Sequence, residues 1–438
     1  MCQPVQVTKP APRPCALVTG GTRPEAVSRL RALLVQRLAA RNLLGGANGG
    51  VGVAASALPW LVPVAPNEAT EVGREELVAR LTDAPAFPQA DLLLRTSGST
   101  TGSGSLVAMS AAALVASARA THRRLGGPGT WVLTLPAHHV AGLQILVRSV
   151  VAGREPVIVD TSGGFSVSAL AQGLEQALSR AAGQAVYTSL VPTQLHDALT
   201  EARCTALLSR LSAVLVGGAA ISPSLQIRAR AAGVPVVRSY GMSETGGGCV
   251  YDGLPLEGVR LRIDSPDAEG VGRVALAGPV LAEGYAATGG STVFQTGPDG
   301  RLEVLTSDLG RLVPGPDGEP CLEVLGRVDD LIVTGGVKVR PQEVEAVLLT
   351  LPGVAQACVV GVPHERWGSA VTAVVVPQPE ITPSQEWCEA LRQSARRLLP
   401  GPGAPKRVLA TVGLPTRGPG KVDRLGVSNW AAQGSEKP

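Results

Sequence analysis

The chain has 438 residues, 45% of them hydrophobic and 17% charged, so it can bury a large core and is long enough for two domains. This composition excludes an intrinsically disordered chain. A net charge of +4, from 39 basic and 35 acidic residues, and an aromatic content of 3% argue against a nucleic-acid-binding surface.

The seven cysteines are widely spaced and include no CxxC pair, which argues against a disulfide framework or a zinc site and fits a reducing compartment. Residues 1–14 lack the apolar stretch of a signal peptide. No apolar run approaches the roughly 18 residues that a membrane-spanning helix needs. We therefore expect a cytoplasmic protein that has neither a membrane nor a nucleic acid as partner.

The first half of the chain alternates short apolar runs with helical stretches. The runs end in turn residues, as buried strands do, and their alternation with helices predicts an α/β domain with a largely parallel sheet. The predicted strands are 131–136, 156–160, 185–192, 211–218 and 234–241, and the predicted helices are 110–124, 166–182, 193–201 and 222–232.

After Gly253 the pattern changes to short strands separated by glycine-rich turns, which predicts a β-rich subdomain. Residues 326–336 are polar and turn-prone, as expected of a joint between domains. A second strand–helix pattern follows, and the last dozen residues are expected to fray. The predicted strands are 258–264, 271–277, 301–305, 321–325, 354–361 and 370–376, and the predicted helices are 341–351 and 384–399.

These patterns predict an α/β fold in two domains. A large N-terminal domain of mostly parallel sheets plus the β-rich subdomain would span residues 1–325. Residues 326–330 would form the hinge, and residues 331–438 a small, mobile C-terminal α/β domain.

Two stretches imitate nucleotide-binding motifs. ALVTGG at 16–21 could begin a dinucleotide-binding turn, but Thr22 and Arg23 stand where that motif needs further glycines. We interpret it as a strand-to-helix turn with Pro24 at the first helical position. GSTTGSGS at 98–105 is not an NTPase P-loop, because no Gly-Lys-Ser/Thr closes it.

The loop TSGSTTGSGS at 96–105 lies between two apolar runs and is rich in glycine and hydroxyl groups. Glycines allow a tight backbone, while hydroxyl and amide groups can surround phosphate oxygens. A flexible Ser/Gly loop is the alternative, so this prediction needs the support of other motifs.

Three further motifs supply charged side chains. Glu244 in YGMSET follows a strand in a tight turn, where a carboxylate can bind a hard cation that bridges phosphates. Asp308 in TSDLGR lies between a strand and a turn and can accept hydrogen bonds from both ribose hydroxyls. Arg327 in GRVDD adds a cation beside two aspartates. Taken alone, each acidic residue is explained equally well as an ordinary turn residue.

Lys421 in GKVDR lies in a glycine-flanked loop near the C-terminus. The chain has five lysines against 34 arginines, so a lysine here suggests a task that arginine cannot perform. A compact ammonium on a flexible stem suits the charge that develops between a carboxylate and an α-phosphate. An ordinary surface lysine is the alternative.

The order and spacing of these motifs are more specific than any one of them. Residues 92–426 resemble the adenylate-forming superfamily of acyl- and aryl-CoA ligases, adenylation domains and luciferases. The resemblance implies an AMP-forming acid–thiol ligase, in which an aromatic acid and ATP give an acyl-adenylate and coenzyme A then displaces AMP. It rests on TSGSTTG (96–102), LPAHHVAG (135–142), LVGGAA (215–220), YGMSET (240–245), TSDLGR (306–311), GRVDDLIVTGGVKVRPQEVE (326–345) and GKVDR (420–424).

The resemblance also implies which residues carry the chemistry. Lys421 would be catalytic in the first half-reaction, Glu244 would bind Mg²⁺, and His139 would line the acid pocket. The other wall of that pocket would be Gly241, Met242 and Gly246. Asp329 would be the hinge residue, and Gly335 and Gly336 would line the path of the CoA pantetheine arm.

ATP would be bound, by the same resemblance, through the ribose, the adenine and the phosphates. Asp308 and Arg327 would hold the ribose, and adenine would lie against 217–219 and Tyr240. The predicted ATP-binding residues are Thr96, Ser97, Gly98, Ser99, Thr100, Thr101, Gly102, Gly217, Gly218, Ala219, Tyr240, Gly241, Met242, Ser243, Thr245, Asp308 and Arg327.

Two departures from the superfamily pattern stand out. Gly104 and Ser105 occupy the place where the phosphate loop usually ends in Pro-Lys, which removes one phosphate contact. The region before the loop is also short for the superfamily, so part of the usual N-terminal lobe is trimmed.

Several alternatives stay open. The chain could be another aryl- or acyl-CoA ligase, a stand-alone adenylation protein that loads a carrier-protein thiol, or a non-catalytic relative that only binds nucleotide. Lys421, Glu244 and Asp308 argue against the last. The expected ligands are ATP, Mg²⁺, coenzyme A and a small aromatic acid, and the oligomeric state, a homodimer included, is open.

Overall fold

The structure is a computed structural model that describes residues 13–44, 53–54, 57–81, 84–85, 87–96, 104–287, 293–399, 401–417 and 421–433. Over these residues helices and strands alternate as the α/β class requires, and the predicted fold class is confirmed.

Most strands are short, and three in the C-terminal half reach ten or more residues. They are β1 (Cys15–Thr19), β2 (Trp60–Val64), β3 (Leu92–Arg95), β4 (Leu106–Met109), β5 (Thr130–Leu133), β6 (Val157–Ile158), β7 (Val186–Leu190), β8 (Ala213–Gly217), β9 (Val236–Met242), β10 (Gly247–Tyr251), β11 (Leu254–Pro255), β12 (Arg260–Asp264), β13 (Gly272–Ala277), β14 (Gly284–Ala287), β15 (Phe294–Thr296), β16 (Leu302–Pro314), β17 (Pro320–Arg327), β18 (Ile332–Thr334), β19 (Val337–Val339), β20 (Val354–His364), β21 (Gly368–Pro377), β22 (Arg407–Ala410), β23 (Thr416–Arg417) and β24 (Lys421–Val422).

Helices lie between the strands of the N-terminal half and flank the strands of the C-terminal part. They are α1 (Pro24–Ala40), α2 (Glu71–Leu81), α3 (Ala111–Arg124), α4 (Val140–Val151), α5 (Val167–Ala181), α6 (Pro192–Ala198), α7 (Ala202–Leu208), α8 (Pro223–Ala231), α9 (Pro341–Leu348), α10 (Gln385–Leu398) and α11 (Arg424–Ala432).

The first of two compact units comprises residues 1–165, 242–247 and 279–292. Its five-stranded sheet has the order β1-β2-β3-β4-β14, in which β1, β2 and β3 are parallel and β4 is antiparallel to both neighbours. Strands β5 and β6 form a further parallel pair. Residues that face α2 from this sheet, among them Trp60, Val62 and Leu93, pack with Leu77 and Leu81 into a core.

The second unit comprises residues 166–241, 248–278 and 293–438. Strands β7, β8 and β9 are parallel, as predicted, and continue through β10 to β11. The antiparallel order β12-β13-β16-β15, with β17 on β16, is the predicted β-rich subdomain. A last sheet has the order β19-β18-β21-β20 with β22 parallel to β21. The predicted boundary at 326–330 is not tested by this division and stays a prediction.

Local signals explain where the helices begin. Ser110, Ser166, Ser222 and Ser384 each accept a hydrogen bond from a backbone N–H three residues later, so α3, α5, α8 and α10 start with a satisfied donor. Pro24 is the first residue of α1. The interpretation of ALVTGG as a strand-to-helix turn is therefore confirmed.

One strand is longer than predicted. The sequence predicts a strand at 301–305 and places Asp308 between that strand and a turn, but β16 continues to Pro314 and pairs with β17 from Asp308 to its end. The prediction that a turn follows Asp308 is wrong, because Gly310 and the register shift between Leu309 and Gly310 are accommodated inside the strand.

The prediction that the last dozen residues fray is wrong as far as Ala432. Asp423 caps α11 by accepting a hydrogen bond from the Gly426 N–H at 3.0 Å. Val427 and Ala431, 1% and 0% exposed, pack against Cys358 and other residues of β20 and β21. Apolar burial therefore holds this helix in place.

Replacing Val427 with alanine is expected to destabilise the C-terminal part by about 2 kcal/mol, since two buried methyl groups are lost and a small cavity remains. Hydrogen exchange of the 421–433 peptide, together with the urea midpoint, measures the loss. Leu425→Ala, on the exposed side of the same helix (52% exposed), is the control. If hydrogen exchange of this peptide were the same in both variants, the prediction of a frayed C-terminal end would stand.

Among the described residues no two cysteines are joined in a disulfide, and several cysteines are buried. Burial raises the pKa of Cys204 to about 11 and that of Cys358 to about 12. Within the described ranges, none of the helices combines the length and the apolar character needed to cross a lipid bilayer.

Candidate active site

Glu244 lies in the short turn that follows β9, within the first unit. Its side chain is buried, and the Tyr285 hydroxyl donates a hydrogen bond of 2.7 Å to Glu244 Oε1. Burial, and next the charge of Glu244, raise the pKa of Tyr285, so this phenol stays a donor at neutral pH. The Ala282 N–H also donates to the Glu244 carbonyl at 2.9 Å. Hydrogen bonds to both the side chain and the backbone of Glu244 thus fix the position of its carboxylate.

Thr245 stabilises the same turn. Its hydroxyl accepts from the Met242 N–H at 2.9 Å and donates to the Gly247 carbonyl at 2.7 Å, and the side chain is fully buried. The hydroxyl is therefore engaged by the backbone, and a contact of Thr245 with a phosphate stays a prediction.

His139 directly precedes α4. A side chain of this helix binds the turn formed by Gly246 and Gly247. Gln144 Nε2 in α4 donates to the Gly246 carbonyl at 2.6 Å. Gly246 and Gly247 have φ of 61° and 102°, and a Cβ on Gly247 would lie 3.2 Å from Gln144 Cγ. One buried glutamine of α4, which the sequence did not single out, thus holds Gly246, and the predicted acid pocket of His139 and Gly246 stays a prediction.

The two adjacent histidines are uncharged near neutral pH. Burial lowers the pKa of His138 to about 4, and burial also lowers the pKa of His139, against the opposing charge of Glu68. Their rings lie 4.3 Å apart. A Cβ on Gly20 would come within 2.6 Å of the His138 Cβ, which explains the glycine of the TGG turn. His139 is therefore a neutral imidazole near neutral pH, and its contact with the acid stays a prediction.

Asp308 is the centre of a polar cluster in the second unit. Tyr240 donates its hydroxyl hydrogen to Asp308 Oδ2 at 2.7 Å, and Arg327 Nη1 donates to Oδ1 at 3.2 Å. Arg327 stands opposite Asp308 in the register of β16 and β17. Burial, followed by the Asp308 charge, raises the pKa of Tyr240 far above its ordinary value. The predicted ribose pair is thus assembled, and the predicted adenine residue Tyr240 joins it through its hydroxyl.

Lys421, the first residue of β24, lies near this cluster. Desolvation and then the charge of Arg327 lower the pKa of Lys421, although the residue remains exposed to solvent. The charges of Asp308 and Asp330 act in the opposite direction. The structure therefore brings the predicted catalytic lysine within electrostatic range of the predicted ribose site.

The predicted adenine strip follows β8. Gly217 pairs with Ser239 of β9, and a Cβ on Gly217 would lie 2.7 Å from the Ser239 carbonyl oxygen. Gly218 has φ of 80°, and Ala219 is exposed. Since β8 and β9 are parallel, these residues and Tyr240 share one end of the sheet, where ligands of open α/β sheets bind.

Only the ends of the predicted phosphate loop can be placed. The Thr96 hydroxyl accepts from the Ser105 N–H at 2.9 Å, and Gly104 has φ of 56° at a point where a Cβ would collide with the Thr96 carbonyl oxygen. The two ends are therefore joined by hydrogen bonds. The remaining predicted residues, Ser97, Gly98, Ser99, Thr100, Thr101 and Gly102, lie outside the described residues.

Two family profiles match the chain. The profile described as AMP-binding enzyme matches residues 50–286, more than half of the chain, and the profile described as AMP-binding enzyme C-terminal domain matches residues 343–421. This chain belongs to the AMP-binding enzyme family.

Relatives and solved structures agree with that assignment. This AMP-binding enzyme is 46% identical over 336 residues to a Mycobacterium tuberculosis protein named probable 2-succinylbenzoate–CoA ligase, covering 76% of the chain and 82% of the relative. Its fold is similar to o-succinylbenzoate CoA synthetase from Bacillus subtilis in complex with the acyl-adenylate intermediate (TM-score 0.70, 23% identity, 97% and 89% covered). It is also similar to the amide bond synthetase McbA from Marinactinospora thermotolerans (TM-score 0.72, 23% identity, 97% and 90% covered).

The sequence carries the same likeness. Within the superfamily, the segment at 135–153 (LPAHHVAGLQILVRSVVAG) is similar to o-succinylbenzoate–CoA ligase in its short actinobacterial form. The Mycobacterium tuberculosis relative confirms the resemblance. The two solved structures, at 23% identity, show the fold alone.

The predicted hinge and CoA path of this AMP-binding enzyme lie on the same segment. Asp329 is exposed and accepts a hydrogen bond from Arg327 Nη2 at 3.0 Å. Gly335 and Gly336 have φ of 57° and 81°, and a Cβ on Gly335 would lie 3.1 Å from the Trp367 ring. Both glycines are needed by the tight turn between β18 and β19. Their roles toward coenzyme A stay predictions.

Proposed function

We propose that this AMP-binding enzyme converts 2-succinylbenzoate, ATP and coenzyme A into 2-succinylbenzoyl-CoA, AMP and pyrophosphate, as a step of menaquinone biosynthesis. The choice of acid is supported by the identity of 46% to the Mycobacterium tuberculosis relative that carries this activity in its name. The type of reaction is supported by the family and by the charged residues of the site.

The observation that carries the proposal is the position of Lys421. Lys421 is the first residue of β24, and the charges of both Arg327 and Asp308 act on its pKa, which supports a place for its ammonium beside the predicted ribose site. Asp308 in turn binds Tyr240. A nucleotide whose ribose binds Asp308 would have its α-phosphate within reach of a flexible ammonium.

The first half-reaction joins two anions. A carboxylate oxygen of the acid attacks the α-phosphorus of ATP, the bond between that phosphorus and the bridging oxygen breaks, and pyrophosphate leaves. Lys421 would stabilise the negative charge that accumulates on the α-phosphate and the attacking carboxylate. Asp308, Arg327 and Tyr240 would fix the nucleoside, so that the two reactants are held in line.

Glu244 and its neighbours fit a magnesium ion that arrives with ATP. Mg²⁺ keeps several waters and uses one or two carboxylates plus substrate phosphates, not a cage of protein ligands. Glu244 is a single carboxylate oriented by Tyr285, and the described residues contain no cluster of three or more His, Cys, Asp or Glu side chains that could hold a metal. When bound, the ion would neutralise phosphate charge.

In the second half-reaction the sulfur of coenzyme A attacks the acyl carbon, the acyl–phosphate bond breaks, AMP leaves and the thiol proton passes to solvent. We propose that the small C-terminal domain turns about Asp329 between the two steps. Lys421 would then be withdrawn and Gly335 and Gly336 would line the path of the pantetheine arm.

The test is pyrophosphate release from ATP with a panel of acids, with and without coenzyme A, followed by mass spectrometry of the thioester. The panel contains 2-succinylbenzoate, benzoate and a medium-chain fatty acid. We expect release and thioester formation with 2-succinylbenzoate at the lowest acid concentration. A preference for another acid would make the chain a different acyl-CoA ligase, and adenylation without any CoA thioester would favour a carrier-protein thiol.

Replacing Glu244 with alanine is expected to raise the Mg²⁺ concentration for half-maximal adenylation about tenfold or more, since a hydrogen-bonded carboxylate ligand is lost. Tyr285→Phe should raise it by a smaller factor, because the carboxylate remains but is less well oriented. A magnesium titration of pyrophosphate release measures both. Glu257→Ala, at an exposed acidic residue, is the control. Unchanged magnesium dependence in a folded Glu244→Ala variant would remove Glu244 as a ligand.

A further inference from the structure

Arg424 follows Lys421 by three residues and has several polar partners. None of the reaction steps described above explains these contacts. Its Nη1 and Nη2 donate to Glu345 Oε1 and Oε2 at 2.7 and 2.9 Å. Nη1 also donates to the Val359 carbonyl at 3.0 Å. This is the paired geometry that makes an arginine–carboxylate contact both strong and directional.

A third carboxylate contact comes from the hinge segment. Arg424 Nε lies 3.4 Å from Asp330 Oδ2. The preceding residue, Asp329, binds Arg327 at 3.0 Å, and Arg327 binds Asp308. Two consecutive aspartates therefore bind two different arginines, one that belongs to the predicted ribose site and one that adjoins the lysine segment.

The site is built to hold Arg424 charged. Burial acts to lower the pKa of Arg424, but the hydrogen bonds and the charge of Glu345 outweigh it, and the pKa is raised. Glu345 is itself fixed, because its Oε1 accepts from the Val359 N–H at 2.7 Å. The guanidinium, helix α9 and strand β20 thus form one rigid contact.

We propose that Arg424 is a positioning residue, which fixes the short segment that carries Lys421 through Glu345 of α9 and Asp330 of the hinge. Arg424 does not touch the substrates; it sets where the base of the lysine stem lies. The inference deepens the proposed function and rests on it.

The physical need for such a contact comes from the lysine itself. A long, flexible side chain can reach a reacting phosphate from many backbone positions, but few of them place the ammonium in line with the reaction. Strand β24 is only two residues long and pairs with an equally short β23, so its own ladder supplies little rigidity. Arg424, at the start of α11, adds a directional polar attachment to the apolar packing that holds this helix.

The experiment compares the two half-reactions in three variants. Glu345→Gln keeps the shape and one acceptor, Arg424→Lys keeps the charge but loses the paired contact, and Asp330→Asn removes the charge from the hinge contact, and with it the charge that acts on Lys421. Acyl-adenylate formation is followed by pyrophosphate release, and the second step by thioester formation from supplied acyl-adenylate. Glu343→Gln, two residues along α9 and exposed, is the matched control.

We expect Glu345→Gln and Arg424→Lys to lower kcat of acyl-adenylate formation about tenfold or more, since a small misplacement of a reacting group has this effect, with KM for ATP nearly unchanged. Asp330→Asn should have a smaller effect in the same direction. Thioester formation from supplied acyl-adenylate should stay within about twofold of the wild type, because Lys421 serves the first step.

Equal losses in both half-reactions, or an unchanged first step in folded Asp330→Asn and Arg424→Lys variants, would overturn the inference. Thermal unfolding of each variant is measured beside the assays, and the assays are run well below the lowest midpoint. Wild-type protein that releases no pyrophosphate with any acid would instead contradict the proposed function, so the two failures are distinguishable.

Discussion

Replacing Lys421 with alanine is expected to lower the rate of acyl-adenylate formation about a hundredfold or more, since a preorganised charge that faces the reacting phosphate typically contributes at least that factor. Thioester formation from supplied acyl-adenylate should be largely spared, because the lysine is assigned to the first half-reaction only. Rapid-quench measurement of the acyl-adenylate in a single turnover separates the two steps.

Two controls make this expectation specific to Lys421. Arg396→Ala removes an exposed cation from α10 and should change neither step. Lys421→Arg keeps the charge but presents a planar, bulkier group and should recover only part of the rate. Equal loss of both half-reactions in Lys421→Ala would contradict the assigned role.

The pH dependence of the first step follows from the same residue. Lys421 stabilises the developing anion only while it is protonated, and its pKa is lowered from the ordinary value of 10.5 by desolvation and by Arg327. The rate should therefore be lost as pH rises through a pKa below 10.5, and this alkaline limb should disappear in Lys421→Ala.

Replacing Asp308 with alanine is expected to raise KM for ATP about tenfold to a hundredfold, because the carboxylate that would accept the ribose hydroxyls is lost and such charged hydrogen bonds are worth about 1.5–3 kcal/mol. KM for the acid should change little. Steady-state kinetics with ATP and acid varied separately provides the measurement.

Asp308→Ala also leaves the Tyr240 hydroxyl and Arg327 without their common acceptor, so a stability control is required. Tyr240→Phe removes one of those hydrogen bonds and retains the carboxylate, and it should raise KM for ATP far less. Asp299→Ala, at an exposed turn of the same unit, should leave KM for ATP unchanged. A similar rise of KM for ATP and for the acid would show general damage instead of lost ribose binding.

The sequence could predict the parallel strands of the second unit because each is a short, mostly apolar run that is closely followed by a glycine, a proline or a polar residue. Gly217 closes β8, and Gly241 and Ser243 follow Tyr240 at the end of β9. Such boundaries are local, so tertiary packing did not need to be known.

Helix α4 is missing from the predicted helices, and the reason is physical. Residues Gly142 to Val150 are all buried, the polar Gln144, Arg148 and Ser149 included, so the segment has no exposed polar face from which an amphipathic helix could be recognised. Gln144, one of three buried polar residues of α4 beside Arg148 and Ser149, is the residue that binds Gly246.

Only some contacts of the site could be predicted from the sequence. Asp308 and Arg327 were predicted together, and the β16–β17 register places them opposite each other. Tyr285 was missed, because it lies 41 residues from Glu244 and nothing local to its sequence indicates the pairing. Arg424 stood inside a recognised motif, but its partner Glu345 is 79 residues away, and only the folded chain joins them.

The buried thiols of the fold have a consequence for the stability of the reactive intermediate. An acyl-adenylate is a strong electrophile, and a thiolate on the protein would compete with coenzyme A for the acyl group. With pKa values of about 11 and 12, Cys204 and Cys358 carry at most roughly one thiolate in ten thousand molecules at neutral pH. These two thiols therefore compete poorly with coenzyme A as nucleophiles. The same packing that holds the sheets together suppresses acylation of the protein at these positions.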